Sequence, residues 1–157
     1  MPLIDITTVV PAPLEQVFDL SLDVDAHTAS MSSGGERAVA GGVTSGRMSL
    51  GDSVTWVARH FGVRWRMTSR ISAYDRPHRF VDEQVAGPFR RWRHEHTFVP
   101  GAASGTTIMR DVIDFAAPYG VLGWLITEAL LHRYLHRLIE SRNAYLVSAL
   151  AGGSDPH

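Results

Sequence analysis

The sequence predicts an α+β fold in which a curved antiparallel sheet of about six to seven strands wraps around a long C-terminal helix. Two observations predict it. Between residues 53 and 116 the apolar side chains repeat with a period of two, in long segments joined by short turns, as in an antiparallel meander. Between residues 123 and 150 the period becomes helical, and no other segment is long enough to cover the apolar face of such a sheet.

Composition indicates one globular domain and excludes several classes of function. The chain has 157 residues, of which 45% are hydrophobic and 20% charged. A net charge of -1 gives no electrostatic reason to expect a nucleic acid or an anionic membrane as partner. Because the chain has neither cysteine nor lysine, it has no disulfide, thiolate or lysine Schiff base. We expect a cytoplasmic monomer or homodimer that does not insert into membranes.

The N-terminal part is predicted to hold one strand and two short helices. Residues 3–10 are rich in β-branched side chains and form the strand, which Pro11 ends because proline cannot donate to a ladder. Residues 14–22 have helical spacing, and Asp23 can cap a second helix that runs to about Met31. The segment 32–51, rich in glycine and serine, is predicted to be a mobile loop with a short strand at 37–40.

The remaining chain supplies the meander and the helix. Its strands are predicted at residues 53–61, 64–74, 79–86, 89–99 and 106–116. Six helix residues are predicted to fall close to one stripe: Trp124, Leu131, Leu135, Leu138, Arg142 and Tyr145. Much of the remaining helix surface is predicted to be hydrated by Arg137, Glu140, Arg142 and Asn143. Residues 1–151 are expected to form a single domain, followed by a flexible tail at 152–157.

One strand combines aromatic and ionisable residues on a single face. Trp92, His94, His96 and Phe98 alternate with charged and polar residues, so they share one side of the sheet. Pairing Val99 with Thr106 in the last hairpin would place His94 opposite Asp111. The Gly87-Pro88 turn would add Glu83 to the same face. An imidazole beside a carboxylate can be held as a base or as a fixed cation, so these groups would line a partly polar cavity.

Several segments together carry a resemblance to a known superfamily. They are Pro11-Ala12-Pro13 with Val17-Phe18, residues 51–56, residues 77–84, Gly87-Pro88-Phe89, residues 94–98, Asp111, and Pro118 with Gly120. In this order they resemble the START-like or SRPBCC superfamily, which has the helix-grip fold of lipid-transfer START domains, pollen allergens and bacterial polyketide cyclases. The sequence is most similar to the bacterial ligand-binding SRPBCC-domain and polyketide-cyclase-like group. The resemblance implies the helix-grip fold but transfers no catalytic motif, because one fold serves many activities.

In such a fold the inner face of the sheet is the wall of the cavity, so residues that would otherwise be core become candidates for ligand binding. The predicted ligand-binding residues are Trp56, Trp65, Met67, Glu83, Trp92, His94, His96, Phe98, Met109, Asp111, Phe115 and Leu130. The same polar groups can equally satisfy one another across the sheet without a ligand. His94 and His96 could also chelate a metal if Asp111 completed the site. His132 and His136 have metal spacing on the helix but lack the acidic partner of a zinc-protease motif, so they are interpreted as surface residues, and we expect neither metal nor cofactor.

Three functions remain open. The first is a protein that binds a small hydrophobic molecule, such as a lipid, polyketide or isoprenoid, between sheet and helix. The second is an enzyme of the cyclase, aromatase or dehydratase type, with His94 as the acid-base group and Asp111 or Glu83 as its orienting partner. The third is an interaction module whose cavity has collapsed. We favour the first, because it needs only an aromatic-lined cavity and a few polar groups.

Overall fold

The structure is a computed structural model that describes residues 3–31, 34–118, 120 and 127–152. Its strands are β1 (Leu3–Val10), β2 (Arg37–Val39), β3 (Ser53–His60), β4 (Val63–Asp75), β5 (Arg79–Ala86), β6 (Arg91–Pro100) and β7 (Thr107–Ala116). Its helices are α1 (Leu14–Ser21), α2 (Val24–Ser30) and α3 (Glu128–Ala151). Apart from Gly152, the predicted tail lies outside the described residues.

The strands form one seven-stranded antiparallel sheet in the order β1-β7-β6-β5-β4-β3-β2. Strands β2 to β7 are sequential neighbours, whereas β1 pairs with β7 at the other edge, with Ile4 opposite Ile113. The sheet curls into a half-barrel around α3, which confirms the predicted α+β helix-grip architecture. Because every neighbouring pair is antiparallel, residues directly opposite each other share a face of the sheet.

Helix α3 buries its apolar stripe against the β1 edge of the sheet. Leu131, Leu135 and Ile139 lie in one cluster with Ile113 and Phe115. The helix begins later than predicted: Thr127 has an extended backbone and accepts a hydrogen bond from the backbone N–H of Leu130, which makes Thr127 the N-cap. The earlier part of the predicted helix, residues 123–126, lies outside the described residues. None of the described helices is long and apolar enough to cross a membrane.

A second core fills the other end of the sheet and fixes α1. Phe18 is completely buried, and its ring meets those of Tyr74, Phe80 and Phe98 edge-on, with centroids 5.4–5.5 Å apart. These arrangements are the favourable ones for aromatic rings. The two cores leave a space between the sheet and α3, where the candidate site lies.

A two-residue turn joins β3 to β4 and brings the sheet to the helix. Phe61 and Gly62 have φ angles of 55° and 73°, as the tight hairpin turn that matches strand twist requires. Glycine adopts this backbone freely, whereas a bulky residue does so rarely. The Phe61 ring lies 4.6 Å from that of Tyr134 on α3, so the turn places an aromatic contact across the gap.

Replacing Phe18 by alanine is expected to lower the free energy of unfolding by about 3–5 kcal/mol, because the change removes a buried ring and leaves a cavity. Urea unfolding followed by circular dichroism measures the loss. The control is Val99→Thr, which keeps a β-branched side chain at an exposed position and should change stability by less than about 0.5 kcal/mol. A cost for Phe18→Ala as small as that of the control would contradict the described core.

Candidate functional site

The space between the sheet and α3 is a cavity of about 150 Å³. Its wall is mostly aromatic and aliphatic: Trp56, Trp65, Met67, Phe89 and Trp92 come from the sheet side, and Leu131, Tyr134 and Leu135 from the helix. An apolar cavity of about this size holds a molecule as large as benzene in a well-studied protein. The dimensions and lining therefore suit a compact apolar ligand.

One part of the wall is polar, and it comes from adjoining strands. Asp82 of β5 is the cross-strand partner of His94 in β6, and His96 in β6 is the partner of Asp111 in β7. Because cross-strand partners share a face, all four side chains point inward. Asp82, His94 and His96 line the cavity, while Asp111 lies behind the imidazoles, fully buried.

Each imidazole of this cluster spans the two carboxylates. His94 Nε2 lies 2.9 Å from Asp111 Oδ1, and His94 Nδ1 lies 3.8 Å from Asp82 Oδ2. His96 Nε2 lies 3.1 Å from Asp82 Oδ2. His96 Nδ1 lies 3.0 Å from Asp111 Oδ1, yet it is not aligned for a hydrogen bond and is a buried ring nitrogen without one. The two rings stack with centroids 3.7 Å apart, so they act as one unit.

The buried charge of Asp111 is held by helix α3. Arg142 Nη1 donates to Asp111 Oδ1 at 3.2 Å, and Asn143 Nδ2 donates to Asp111 Oδ2 at 2.8 Å. Arg142 also donates to the side-chain oxygen of Asn143 at 3.0 Å. Arg142 is only 3% exposed, so the guanidinium and the carboxylate lie together in the interior. A buried charge is tolerated only with such a partner.

These contacts set the ionisation of the cluster. Burial by itself raises the pKa of Asp111, but Arg142 and the two histidines outweigh it and hold the pKa well below its usual range. Burial likewise opposes ionisation of Asp82, yet His96 and His94 lower its pKa. Burial, together with the neighbouring His96, lowers the pKa of His94 to about 4 against the effect of the Asp111 hydrogen bond. His94 is therefore a neutral imidazole at neutral pH, flanked by two carboxylates.

Two further histidines of the cavity wall are each paired with another polar side chain. His27 Nε2 lies 2.5 Å from Glu36 Oε1, and the His27 ring packs on Trp56 with centroids 4.3 Å apart. His60 Nδ1 lies 2.5 Å from the Tyr134 hydroxyl, and burial lowers the pKa of His60. The His60–Tyr134 contact joins the end of β3 to α3, near the Phe61–Gly62 turn.

The structure brings six of the twelve predicted ligand-binding residues to the cavity wall. They are Trp56, Trp65, Met67, Trp92, His94 and His96. Phe98, Met109 and Phe115 are completely buried in the two cores, away from the cavity. Leu130 does not line it either: it is 46% exposed, because the inward stripe of α3 passes through the next residue, Leu131. Contact of these residues with a ligand remains a prediction.

The predicted register of the last hairpin is wrong by two residues. Val99 pairs with Ile108, so the partner of His94 is Ile113. A shift of two residues keeps every side chain on its predicted face, since the period of a strand is two. The contact between His94 and Asp111 therefore survives as a diagonal one.

The predicted inward position of Glu83 is also wrong. Glu83 pairs with Arg93 on the outer face of the sheet, and its side chain is 45% exposed. The inward residues of β5 are Phe80 and Asp82, which lie opposite His96 and His94. The error has a physical cause. Four residues connect β5 to β6, and their conformation decides whether the odd-numbered or the even-numbered residues of β5 face inward. The second carboxylate of the site is Asp82.

The predicted hydration of Arg142 and Asn143 is wrong, because both side chains are buried. The predicted place of Arg142 close to the apolar stripe agrees with its burial. Leu135, Ile139, Arg142 and Leu146 follow one another at spacings of three and four, so Arg142 occupies a position of the buried stripe. A charged residue in an apolar stripe indicates a buried partner of opposite charge.

Comparison with known proteins agrees with the described fold. Residues 1–151 match the family model described as polyketide cyclase/dehydrase and lipid transport. The chain belongs to this family. No curated protein matches this family member significantly in sequence.

Solved structures with the same fold are distant in sequence. A protein from Thermus thermophilus has a TM-score of 0.71 at 19% identity, over 94% of this chain and 99% of that one. A START superfamily protein from Mycobacterium smegmatis has a TM-score of 0.68 at 15% identity, over 94% and 98%. The Zhui aromatase/cyclase from Streptomyces sp. R1128 has a TM-score of 0.66 at 16% identity, over 96% and 91%. At these sequence identities the similarity shows a common fold alone.

The depressed pKa of His94 predicts a loss of stability in weak acid. The unfolded imidazole titrates near pH 6.5, whereas the folded one has a pKa of about 4. Between these values the unfolded chain binds the extra proton, so stability should fall from pH 6.5 to pH 4, by on the order of 3 kcal/mol. Urea unfolding across this pH range measures the loss of stability. The buffer contains a chelator, so that no metal ion binds the imidazole. In His94→Gln the slope should shrink; an unchanged slope would assign the effect to another group.

A double-mutant cycle tests the charge pair behind the imidazoles. Arg142→Met leaves Asp111 as an uncompensated buried charge and should cost about 3–5 kcal/mol in the free energy of unfolding. Adding Asp111→Asn to that variant should recover part of the loss, because the stranded charge is gone. Arg137→Met is the matched control on the exposed side of α3 and should cost less than about 0.5 kcal/mol. Equal costs for the two arginine substitutions would refute the pairing.

Proposed function

We propose that the protein binds a compact apolar molecule, with an aromatic or alicyclic ring and at least one oxygen, in the cavity between the sheet and α3. The observation that carries this proposal is a mostly apolar, aromatic-lined cavity whose wall has one polar patch, made by Asp82, His94 and His96. Pockets of this kind take their affinity from the apolar wall and their orientation from a few polar groups. The family and its START-like fold support the same class of ligand.

The aromatic wall favours a ring. Trp56, Trp65 and Trp92 line the cavity, and the cavity itself is about the size that holds one ring. Flat apolar molecules gain both buried area and favourable ring geometry against such side chains. A longer ligand would extend beyond the enclosed part of the cavity.

The polar patch favours an oxygen that donates or accepts a hydrogen bond. The Asp82 side chain keeps 20% of its surface exposed toward the cavity, so its carboxylate can accept from a hydroxyl group. Two carboxylates with lowered pKa values face one guanidinium in the cluster, which disfavours an anionic ligand. A neutral phenol, alcohol or ketone fits this patch better than a carboxylic acid.

A second candidate function is an acid-base enzyme of the cyclase or dehydratase type. The observation that favours it is His94, a neutral imidazole at the cavity wall with one nitrogen held by Asp111. Such an arrangement can accept a proton from a bound ligand and return it. The family description and the aromatase/cyclase among the structural neighbours make this chemistry worth testing. Mass spectrometry of the bound molecule separates the two: a binding protein returns it unchanged, whereas an enzyme returns it altered.

Ligand binding is tested first by native mass spectrometry of the purified protein and then by calorimetric titration with phenol as the probe. We expect phenol to bind more tightly than benzene, which has no hydroxyl group for the polar patch. Met67→Trp fills the cavity and should weaken binding by at least about tenfold. Its control is Arg66→Trp, the same substitution on the exposed face of β4, with an affinity within about twofold of the wild type. No uptake of either probe, or equal binding by both variants, would refute the proposed pocket.

A further inference from the structure

Three potential metal ligands converge on one point of the cavity wall. Asp82, His94 and His96 each offer one ligand atom, and these three atoms all lie within 4.8 Å of one another. The contacts with Asp82 are made by its Oδ2 with His94 Nδ1 and His96 Nε2. The oxygen is 3.8 Å from the first nitrogen and 3.1 Å from the second. When ligand atoms each lie about 2.0–2.2 Å from one ion, the distances between the ligand atoms are similar to these separations from Asp82. We propose that Asp82, His94 and His96 bind a divalent transition-metal ion at the cavity wall.

The groups behind these ligands are arranged as they are around bound metals. A metal-bound histidine usually donates the N–H of its other nitrogen to a carboxylate, which fixes the tautomer and the ring. His94 Nε2 lies within hydrogen-bond reach of Asp111 Oδ1, at 2.9 Å, and His96 Nδ1 lies 3.0 Å from the same oxygen without the alignment of a hydrogen bond. With a proton on His94 Nε2, the other nitrogen of that ring presents a lone pair toward Asp82. One buried carboxylate thus orients His94 and contacts His96, and α3 fixes that carboxylate through Arg142 and Asn143.

The third ligand is positioned in the same way. Trp92 Nε1 donates to Asp82 Oδ1 at 3.3 Å, which leaves Asp82 Oδ2 directed at the two imidazoles. From the sequence, a metal site on His94 and His96 would need Asp111 as its third ligand, and no metal was expected. In the structure Asp111 is the outer partner, and Asp82 supplies the missing ligand.

The donor set indicates the kind of ion and its role. Two imidazoles with one carboxylate suit Zn²⁺ or Fe²⁺, whereas Mg²⁺ and Ca²⁺ prefer oxygen ligands throughout. All three residues lie on the wall, so the cavity side of the ion is open to water or to an oxygen of a bound molecule. A divalent ion would also reverse the excess negative charge of the cluster. The metal site does not depend on the proposed function, since the ligands converge whether or not an organic molecule binds.

The alternative interpretation is that the imidazoles contact Asp82 through hydrogen bonds, with no metal ion between them. Zn²⁺ titrated into chelator-treated protein at pH 7.5 (about one pH unit above the usual imidazole pKa) and followed by calorimetry separates the two. We expect binding of one equivalent, and Co²⁺ in its place should give visible absorption bands typical of nitrogen ligation. Asp82→Asn, nearly identical in shape, should weaken Zn²⁺ binding by at least about 100-fold, more than the loss of an outer partner usually causes.

Matched controls exclude binding elsewhere. Glu83→Gln makes the same charge change at the neighbouring outward position and should leave the affinity unchanged. The double variant His132→Ala/His136→Ala removes a pair at helical spacing beside Glu140 and should also leave it unchanged. No uptake by the wild type, binding that survives Asp82→Asn, or binding lost in the His132/His136 variant would overturn the proposal.

Asp111 is a positioning residue in this site, and its role has its own readout. Asp111→Asn should weaken Zn²⁺ binding by about 10–100-fold and shift the Co²⁺ absorption bands, because the rings lose their common partner. A variant that merely lost stability would bind Co²⁺ with an unshifted spectrum once folded, so an unshifted spectrum would overturn the positioning role. Circular dichroism verifies folding. Titration of phenol in the presence of chelator keeps the test of organic-ligand binding separate from the metal.

Discussion

The buried carboxylate of Asp111 is the constraint on which the inner face of the sheet depends. An ionised group without solvent must be surrounded by donors, and its partners come from β6 and from α3. Arg142 fixes how far along the sheet the helix lies, because its guanidinium has to reach that carboxylate. The same charge explains why two imidazoles can stack in an apolar interior. Removing it would leave Arg142 as the unpaired charge instead, so helix and sheet are matched through this one interaction.

The apolar packing allows this polar centre to exist. One core around Phe18 holds α1 against the sheet, and another around Ile113 and Leu131 holds α3. Neither core includes the polar cluster of Asp82, His94, His96 and Asp111. These side chains lie in the region between the two cores, beside the cavity. The fold thus separates two tasks: the cores supply most of the stability, and the cavity between them keeps a set of ionisable groups away from bulk water.

Sequence reasoning recovered the architecture because side-chain period survives small errors of register. The inward positions of Trp92, His94 and His96 follow from a period of two, and shifting the hairpin by two residues changes no face. The choice between Asp82 and Glu83 could not be made that way, since it depends on the path of a four-residue connection. The burial of Arg142 was visible as a position in the helical stripe, but its charge suggested solvent. Only the location of Asp111 in three dimensions decides between those interpretations.

The Phe61–Gly62 turn links backbone geometry to the enclosure of the cavity. Phe61 holds a left-handed conformation that costs on the order of 1 kcal/mol or more for a bulky residue. Its ring regains free energy only while it lies against Tyr134 of α3. Lifting the hairpin from the helix would remove this contact, whereas the tight turn would still require the same backbone angles. The tip of the β3–β4 hairpin therefore keeps its shape by itself, and its ring contact with Tyr134 offsets part of the cost of that shape.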